Sequence, residues 1–538
     1  MISGHDAMKY LLLLLLPLTG LLTNSLAAVD STVKKTNIII ILADDLGYSD
    51  LGCYGSEIAT PNLDRLASNG LRFTRFFNSG KCEPTRASLM SGQYWQDCGL
   101  GVKNGLTMGQ AMKTAGYDTF AIGKWHMDGN PVERGFDHYF GHLSGASDYF
   151  KGNSSHHLDD KAFKPKPDEK FYTTDANADY AIKFISEAQQ KQPDKPFFMY
   201  LAFNAPHAPI QAWPEDIVKY RGKYRIGWDK LREQRYQKQI ATGIMQPAWV
   251  MSPRPETIPA WDTLSAEEQD FEDLRMSIYA AMIDRMDQAI GRILAQVKAM
   301  GEEDNTLVMF LSDNGASPYD HTKKRSVDSV MTGGWEYGLG WANVSETPFR
   351  HFKRNMSNGG ACTPCIAYWP AVVKAPGTIT DQSAHIIDLM ATIVDVGGVQ
   401  WPTTFAGKEV KALAGKSLRP IFFGEQRVPH EALFFQLFDH RAVIVGDYKL
   451  VSDWGRPWEL FNEKVDRTEL QDLTKAEPEQ AVKLQKLWDE WASSTNIKLR
   501  SAGGEPVYRR LADAEEKFIG GSGEADEEGE EKKPKKKK

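Results

Sequence analysis

A chain of 538 residues, 41% hydrophobic and 25% charged, carries enough apolar material for one large core and a smaller companion domain. Its formal net charge of -7 excludes the basic excess of a nucleic-acid binder, so any anion site must be a local gathering of cations. Five cysteines, Cys53, Cys82, Cys98, Cys362 and Cys365, are too few and too scattered for a disulfide framework.

At the N-terminus, Lys9 precedes the apolar run Leu11 to Leu22, and Ser25-Leu26-Ala27 supplies small residues where a signal peptidase reads them. Residues 1–27 are therefore expected to be a signal peptide that sends the chain to the periplasm or outside the cell. The run is shorter than the roughly 20 residues that span a bilayer, which argues against a stable membrane span.

Asn37 to Ala43 is a continuous β-branched run, as expected for a parallel strand buried on both faces, and it ends in Asp44-Asp45. A helix is predicted over Asn62 to Asn69. Cys82-Glu83-Pro84-Thr85-Arg86 then leads into the helix-like run Ala87 to Gly92. Tyr117 to Gly123 delivers Lys124-Trp125-His126, and Pro196 to Phe203 runs into Asn204-Ala205-Pro206-His207. A long helix is predicted over Phe271 to Met300, where Ile278, Met282, Met286, Ile290, Ile293 and Val297 recur at helical spacing as a core stripe. Thr306 to Ser312 ends in Asp313-Asn314-Gly315. Strands alternating with helices argue for an α/β layer architecture. In such sheets ligands bind beyond the carboxyl ends of the strands, so the polar residues after these four runs are expected to converge.

Asp44, Asp45, Asp313 and Asn314 offer only oxygen, which suits calcium best and magnesium second. A native thiolate at Cys82 would be a soft ligand among hard ones. Cys362-Thr363-Pro364-Cys365 has neither a second Cys pair nor a His pair at ligand spacing, so it is expected to be a local disulfide or two buried thiols and not a zinc site. His156-His157 lies in a polar stretch and is expected in a solvated loop. His142, His321 and His351 are candidates for lining a sugar or aryl pocket. Trp335, Tyr337 and Trp341 suit either stacking faces for a sugar or core aromatics.

From about Glu431 the pattern shifts to short strands, Ala432 to Leu437, Arg441 to Val445, Tyr448 to Ser452 and Trp458 to Phe461, followed by a helix over Glu477 to Ser493. The expected organisation is a main domain over 28–430, a small α+β subdomain over 431–518, and a disordered charged tail over 519–538.

The Cys82 pentapeptide resembles the maturation and active-site signature of the type I sulfatases, in the alkaline-phosphatase superfamily. The resemblance is carried further by Ala43-Asp44-Asp45-Leu46-Gly47-Tyr48, Gly123-Lys124-Trp125-His126, Ala205-Pro206-His207-Ala208-Pro209, Ser312-Asp313-Asn314-Gly315 and Pro348-Phe349-Arg350-His351-Phe352-Lys353. It implies an α/β/α sandwich with a large mixed sheet, plus a smaller C-terminal antiparallel sheet with a helix. It also implies hydrolysis of sulfate monoesters, from a sulfated carbohydrate or an aryl sulfate. Cys82 would be oxidised to formylglycine by a dedicated maturation enzyme.

By the same resemblance, Asp44, Asp45, Asp313, Asn314 and modified Cys82 would bind one calcium ion, and Arg86 would hold the aldehyde hydrate. Lys124 and Lys353 would bind sulfate oxygens, Asp313 would take the proton of the attacking hydroxyl, His207 would protonate the leaving alcohol, and His126 would deprotonate the second hydroxyl. The rival readings are a phosphonate or phosphate ester hydrolase of the same superfamily and a non-catalytic binder of sulfated glycans with Cys82 left as a thiol. One departure stands out: Asn358-Gly359-Gly360 replaces the common Glu-Gly-Gly. Asn358 cannot supply a carboxylate, which puts in doubt any pairing that normally positions Lys353, and it is expected to be a hydrogen-bonding replacement and not a lesion.

Overall fold

Strand Asn37–Asp44 (β1) is buried along its whole length because each face of its sheet is covered by a separate apolar layer. Ile39, Ile41 and Ala43 point into one layer and Ile38, Ile40 and Leu42 into the other, as the two-residue period of a strand requires. The computed structural model describes residues 34–166, 170–320, 322, 335–453 and 456–499. The expected signal peptide and charged tail lie outside them, as does His321.

Among the described residues the main sheet has eleven strands. They are β1, Leu71–Phe77 (β2), Asp118–Lys124 (β3), His138–His142 (β4), His156–Leu158 (β5), Lys161–Ala162 (β6), Phe197–Pro206 (β7), Thr306–Ser312 (β8), Cys362–Tyr368 (β9), Thr378–Thr380 (β10) and Ala384–His385 (β11). The order is β10-β2-β9-β8-β1-β7-β3-β4-β5-β6, with β11 also paired to β2. Its centre, β8-β1-β7-β3-β4, is parallel, whereas β9 runs antiparallel to both β8 and β2. The sheet is therefore mixed.

Helices Pro61–Asn69, Thr173–Lys191 and Ala266–Ala299 cover one face. Helices Cys82–Ser91, Met108–Thr114 and Asp388–Gly397 cover the other. The longest starts where Ser265 and Glu268 form a reciprocal capping box, five residues before the predicted Phe271. Cys362 and Cys365 stand three residues apart on β9, so they face opposite layers, and both are free. Burial pushes the Cys362 thiol up to about 11 and the Cys365 thiol well above its usual value. The pair is thus two buried thiols and not a disulfide.

A two-stranded ribbon of Thr404–Phe405 (β12) and Lys408–Glu409 (β13) precedes the second sheet. That sheet is an antiparallel meander of Leu433–Leu437 (β14), His440–Val445 (β15), Tyr448–Ser452 (β16) and Glu459–Asn462 (β17). One face packs Val443, Leu450 and Leu460 under Leu484 and Trp488 of helix Pro478–Ser494. The other turns Phe435, Leu437, Ala442 and Phe461 into the main core.

Two sequence expectations are corrected here. His156 is not in a solvated loop but buried in β5, with its ring 5.3 Å from that of His142 and 6.2 Å from Phe171. Strand pairing with β4 draws it inside. His142 is equally buried, so it lines no open pocket, and burial keeps its imidazole well below its usual pKa. Trp335, Tyr337 and Trp341 are core aromatics: Trp341 meets Trp228 and Trp261, and Tyr337 stacks on Tyr279 at 4.1 Å.

Candidate active site

The carboxyl ends of β1, β3, β7 and β8 lie side by side, and each delivers polar residues to one place. β1 supplies Asp44 and Asp45, β3 Lys124 and then His126, the turn after β7 His207, and the turn after β8 Asp313 and Asn314. Asp45 (φ 62°) and His126 (φ 52°) both adopt the left-handed conformation, a cost that surrounding contacts must hold in place. Across from them, Cys82 occupies the first position of helix Cys82–Ser91, where the helix dipole favours negative charge. Arg86, one turn on, points the same way.

The contacts form one network. Arg86 donates to Asp313 Oδ2 from Nε at 3.0 Å and Nη2 at 2.7 Å, and to the Lys124 carbonyl from Nη1 at 2.8 Å. Lys124 Nζ donates to Asp44 Oδ2 at 2.5 Å. Asp45 Oδ1 accepts from Lys353 Nζ at 2.7 Å and from Asn314 Nδ2 at 2.6 Å. His207 Nε2 lies 3.6 Å from Asp45 Oδ2. The structure therefore brings Asp44, Asp45, Cys82, Arg86, Lys124, His207, Asp313, Asn314 and Lys353 together.

His126, two residues past Lys124, has Gly145 packed so closely that a Cβ there would come within 2.8 Å of the imidazole. The closest contacts of Arg86 are with Asp313 and the Lys124 carbonyl, and the Tyr200 hydroxyl lies 3.4 Å from its Nη1.

Three buried oxygens in this nest, Asp44 Oδ1, Asp45 Oδ2 and Asn314 Oδ1, have no hydrogen-bond donor. Ligand atoms of Asp44, Cys82 and Asp313 lie within 4.8 Å of one another, as do those of Asp44, Asp45 and His207. Buried acceptors without donors are costly, and an oxygen-rich set of this kind fits a hard divalent cation. The charge distribution agrees. Burial would raise Asp44, but Lys124, His207, Arg86 and Lys353 hold it far below the carboxylate range. Burial and the neighbouring Asp44 charge push Asp313 well above that range despite Arg86. Three carboxylates so close cannot all ionise without a further positive charge. Burial opposes ionisation of Cys82, yet Lys124 and Lys353 bring its thiol below the usual value. Burial and the Lys124 charge push His126 down to about 3.

Asn358 is a hydrogen-bonding residue, as expected, and its side chain turns to partners in and just after the small sheet. Its Nδ2 donates to Glu463 Oε1 and the Arg467 carbonyl, both at 2.9 Å, and its Oδ1 accepts from Lys449 Nζ at 2.9 Å. The neutral amide thus bridges Glu463 to Lys449, while Glu469 accepts from the Asn358 backbone N–H and pairs with Lys449 directly. His351 is tied to its own neighbours: its Nδ1 lies 3.0 Å from Ser357 Oγ and 3.1 Å from Asp453 Oδ2. Asp453 also accepts from Ser357 Oγ at 2.5 Å and the Met356 N–H at 2.9 Å, and meets His440 Nδ1 at 2.9 Å. Asp453 thereby fastens the Lys353 loop to the small sheet.

Sequence reasoning missed Asp453, Tyr200, which lies 3.4 Å from Arg86, and Glu346, whose carboxylate accepts from the Ala316 and Tyr48 N–H groups behind the nest. Tyr200 was readable only as one residue of an apolar run. Asp453 and Glu346 sit in loops without any local signal.

A three-layer α/β sheet with fixed cations around an oxygen nest at its strand ends defines a hydrolase of small oxyanion esters, on the alkaline-phosphatase fold. The sulfatase family model matches residues 36–399, and that of the N-sulphoglucosamine sulphohydrolase C-terminal region matches residues 349–495. An uncharacterized sulfatase of Schizosaccharomyces pombe is 32% identical over 86% of this chain and 94% of its own. The arylsulfatase of Klebsiella aerogenes is 32% identical over 72% of this chain and 92% of its own. The crystal structure of Ps i-CgsB in complex with k-i-k-neocarrahexaose superposes with a TM-score of 0.65 at 26% identity, covering 90% of this chain and all of that one. The chain belongs to the sulfatase family and is a sulfuric ester hydrolase.

Proposed function

We propose that this enzyme cleaves sulfate monoesters of saccharides, with residue 82 as the nucleophile after oxidation to formylglycine and with calcium held by Asp44, Asp45, Asp313 and Asn314. The observation that carries the reading is the set of donor-less buried oxygens beside Cys82, ringed by Lys124, Lys353, Arg86, His126 and His207. The oligosaccharide in the Ps i-CgsB structure supports a carbohydrate substrate. Export through an N-terminal signal and maturation by a formylglycine-generating enzyme belong to the same reading. Among the described residues no helix is long and apolar enough to cross a membrane.

When bound, the cation would neutralise the carboxylates and lower the pKa of an oxygen nucleophile, and the aldehyde hydrate would supply that oxygen together with a second hydroxyl for releasing sulfate. This chain's own residues account for the rest. Lys124 and Lys353 hold the sulfate oxygens in line while charge builds on the leaving oxygen. Arg86 fixes Asp313 in place to accept a proton. His207 Nδ1 lies 2.6 Å from the Ala208 carbonyl, so its N–H donates there and Nε2 is left to face the nest. To pass a proton to the leaving alcohol the ring must also carry one on Nε2, a second proton that Asp45 Oδ2, 3.6 Å away, would favour. His126, kept unprotonated by burial and Lys124, offers a ring nitrogen that can take the proton of the second hydroxyl once substrate charge and the cation are in place.

Mass analysis of the peptide Cys82–Arg86 from protein made in its native host is expected to show the aldehyde, and nitrophenyl sulfate should turn over faster than a nitrophenyl phosphonate ester. An unmodified thiol there, or dominant phosphonate cleavage, overturns the proposal.

A further inference from the structure

Helix Gly338–Ser345 stops at Glu346, two residues before Pro348, whose ring lacks the N–H that another turn would need. Trp341, Ala342 and Val344 of that helix are buried in the main core, so the residue at its end is rigidly held. Glu346 is itself fully buried, and among the described residues no cation acts on its carboxylate.

What the carboxylate holds is backbone. Its Oε1 accepts from the Ala316 N–H, and its Oε2 accepts from the Tyr48 N–H at 3.4 Å. Ala316 stands two residues after Asn314 and Tyr48 three after Asp45, so a single side chain spans the two loops that carry these nest oxygens. The Ala316 carbonyl in turn accepts from the Lys353 N–H at 3.1 Å, which ties the third loop to the same peptide. Both ligand loops are pressed close. A Cβ on Gly315 would come within 2.8 Å of Glu346 Oε1, and one on Gly47 within 2.5 Å of the Ser345 Cβ. Beside them, the Ser49 N–H donates to the Ser345 carbonyl at 2.8 Å.

A buried charge without a counter-charge is costly, and what it supplies here is geometry. A carboxylate has two acceptor oxygens and no donor, so it takes both N–H groups at once, whereas an amide would turn its NH2 toward one of them. We propose that Glu346 is a positioning residue that sets the spacing of Asp45 and Asn314, and the placement of the Lys353 backbone, before a cation arrives. It acts through backbone and touches neither substrate nor cation. The inference rests on the calcium reading above and adds what holds the ligands ready.

The test is calorimetric titration of calcium into chelator-stripped wild type, Glu346→Gln and Glu346→Asp, each with residue 82 in the same state as verified by mass. Glutamine keeps the length and loses one of the two acceptors; aspartate keeps the charge and is too short to reach both loops. Each variant is expected to raise the calcium dissociation constant roughly ten-fold or more. Should Glu346→Gln not fold, Glu346→Asp carries the comparison. A merely structural role would lower the melting temperature in chelator and leave the dissociation constant unchanged, and that result overturns the proposal. Wild-type affinity in Glu346→Asp alone would assign the effect to charge, and it overturns the proposal too. A wild type that binds neither calcium nor magnesium overturns the cation reading, and this inference with it.

Discussion

Lys353 Nζ donates to Asp45 Oδ1 across 2.7 Å, joining residues 308 positions apart. Both are buried, and Asp45 owes its low pKa chiefly to this lysine acting against burial. Lys353→Ala is therefore expected to leave a buried carboxylate without its counter-charge, costing about 3–5 kcal/mol in chelator. Urea midpoints would measure it, and calcium should restore part of the loss. Turnover of nitrophenyl sulfate should fall at least roughly a hundred-fold, because a fixed charge on the sulfate oxygens is gone.

Cation binding to the native nest alone must show as stability. Calcium at about 100 times its dissociation constant should add about 2.7 kcal/mol, read as a rise in melting temperature. Asp44→Asn, which blunts one of the donor-less oxygens, should lose most of that rise. A wild-type protein whose melting is indifferent to calcium and to chelator would rule out the assigned nest.

Asn358→Glu would put a carboxylate at this buried position, and it is expected to harm this protein. The side chain faces Glu463, and its backbone N–H donates to Glu469. A third carboxylate there must be buried near two others with Lys449 already paired to Glu469, a loss of about 2–4 kcal/mol in unfolding free energy. Equal denaturant midpoints for the two proteins would contradict this packing.

Acid should weaken the docking of the small sheet. Burial alone would raise Glu463, but Arg467, Arg75 and Lys449 bring it down to about 2 from an ordinary 4.5. Its pKa is depressed in the folded state, so its stabilisation is complete above pH 4.5 and is lost as pH falls from there through about 2. Stability measured across that window should drop by a few kcal/mol, and Glu463→Gln should flatten the slope.

Gly145→Ala is expected to push the His126 ring aside, since the added Cβ would meet it at 2.8 Å. The ring is the end of a side chain and can yield, so the melting temperature should change little. The kcat on nitrophenyl sulfate should fall roughly ten-fold or more from the displaced proton acceptor. Unchanged kcat would remove His126 from the chemistry.

The central strands were legible because a parallel strand covered on both faces must be apolar throughout, and β1, β7 and β8 all show that pattern. Their polar ends were legible for the same reason: an apolar run that stops in Asp44-Asp45 or Asp313-Asn314 announces a strand mouth. His156 was misplaced because a three-residue strand with polar residues has no period to read. The partners of Asn358, Lys449 and Glu463, were not legible because they come from about a hundred residues later, in and just after the small sheet.

The amino-acid sequence by itself determined the alternation of strands and helices, the residues that reach the strand ends, and an oxygen-only ligand set beside a cysteine. Those features are local, set by side-chain period and by the chemistry of neighbouring residues. Only the tertiary structure decided that Arg86 grips Asp313, that Asp453 ties down the Lys353 loop, that Cys362 and Cys365 face opposite layers, and that Glu346 joins the Tyr48 and Ala316 backbones. Except for the two cysteines, these are contacts between distant segments, fixed by sheet order and by how the small sheet packs. The cysteines part because β9 turns alternate residues to opposite faces, and its two layers hold them apart.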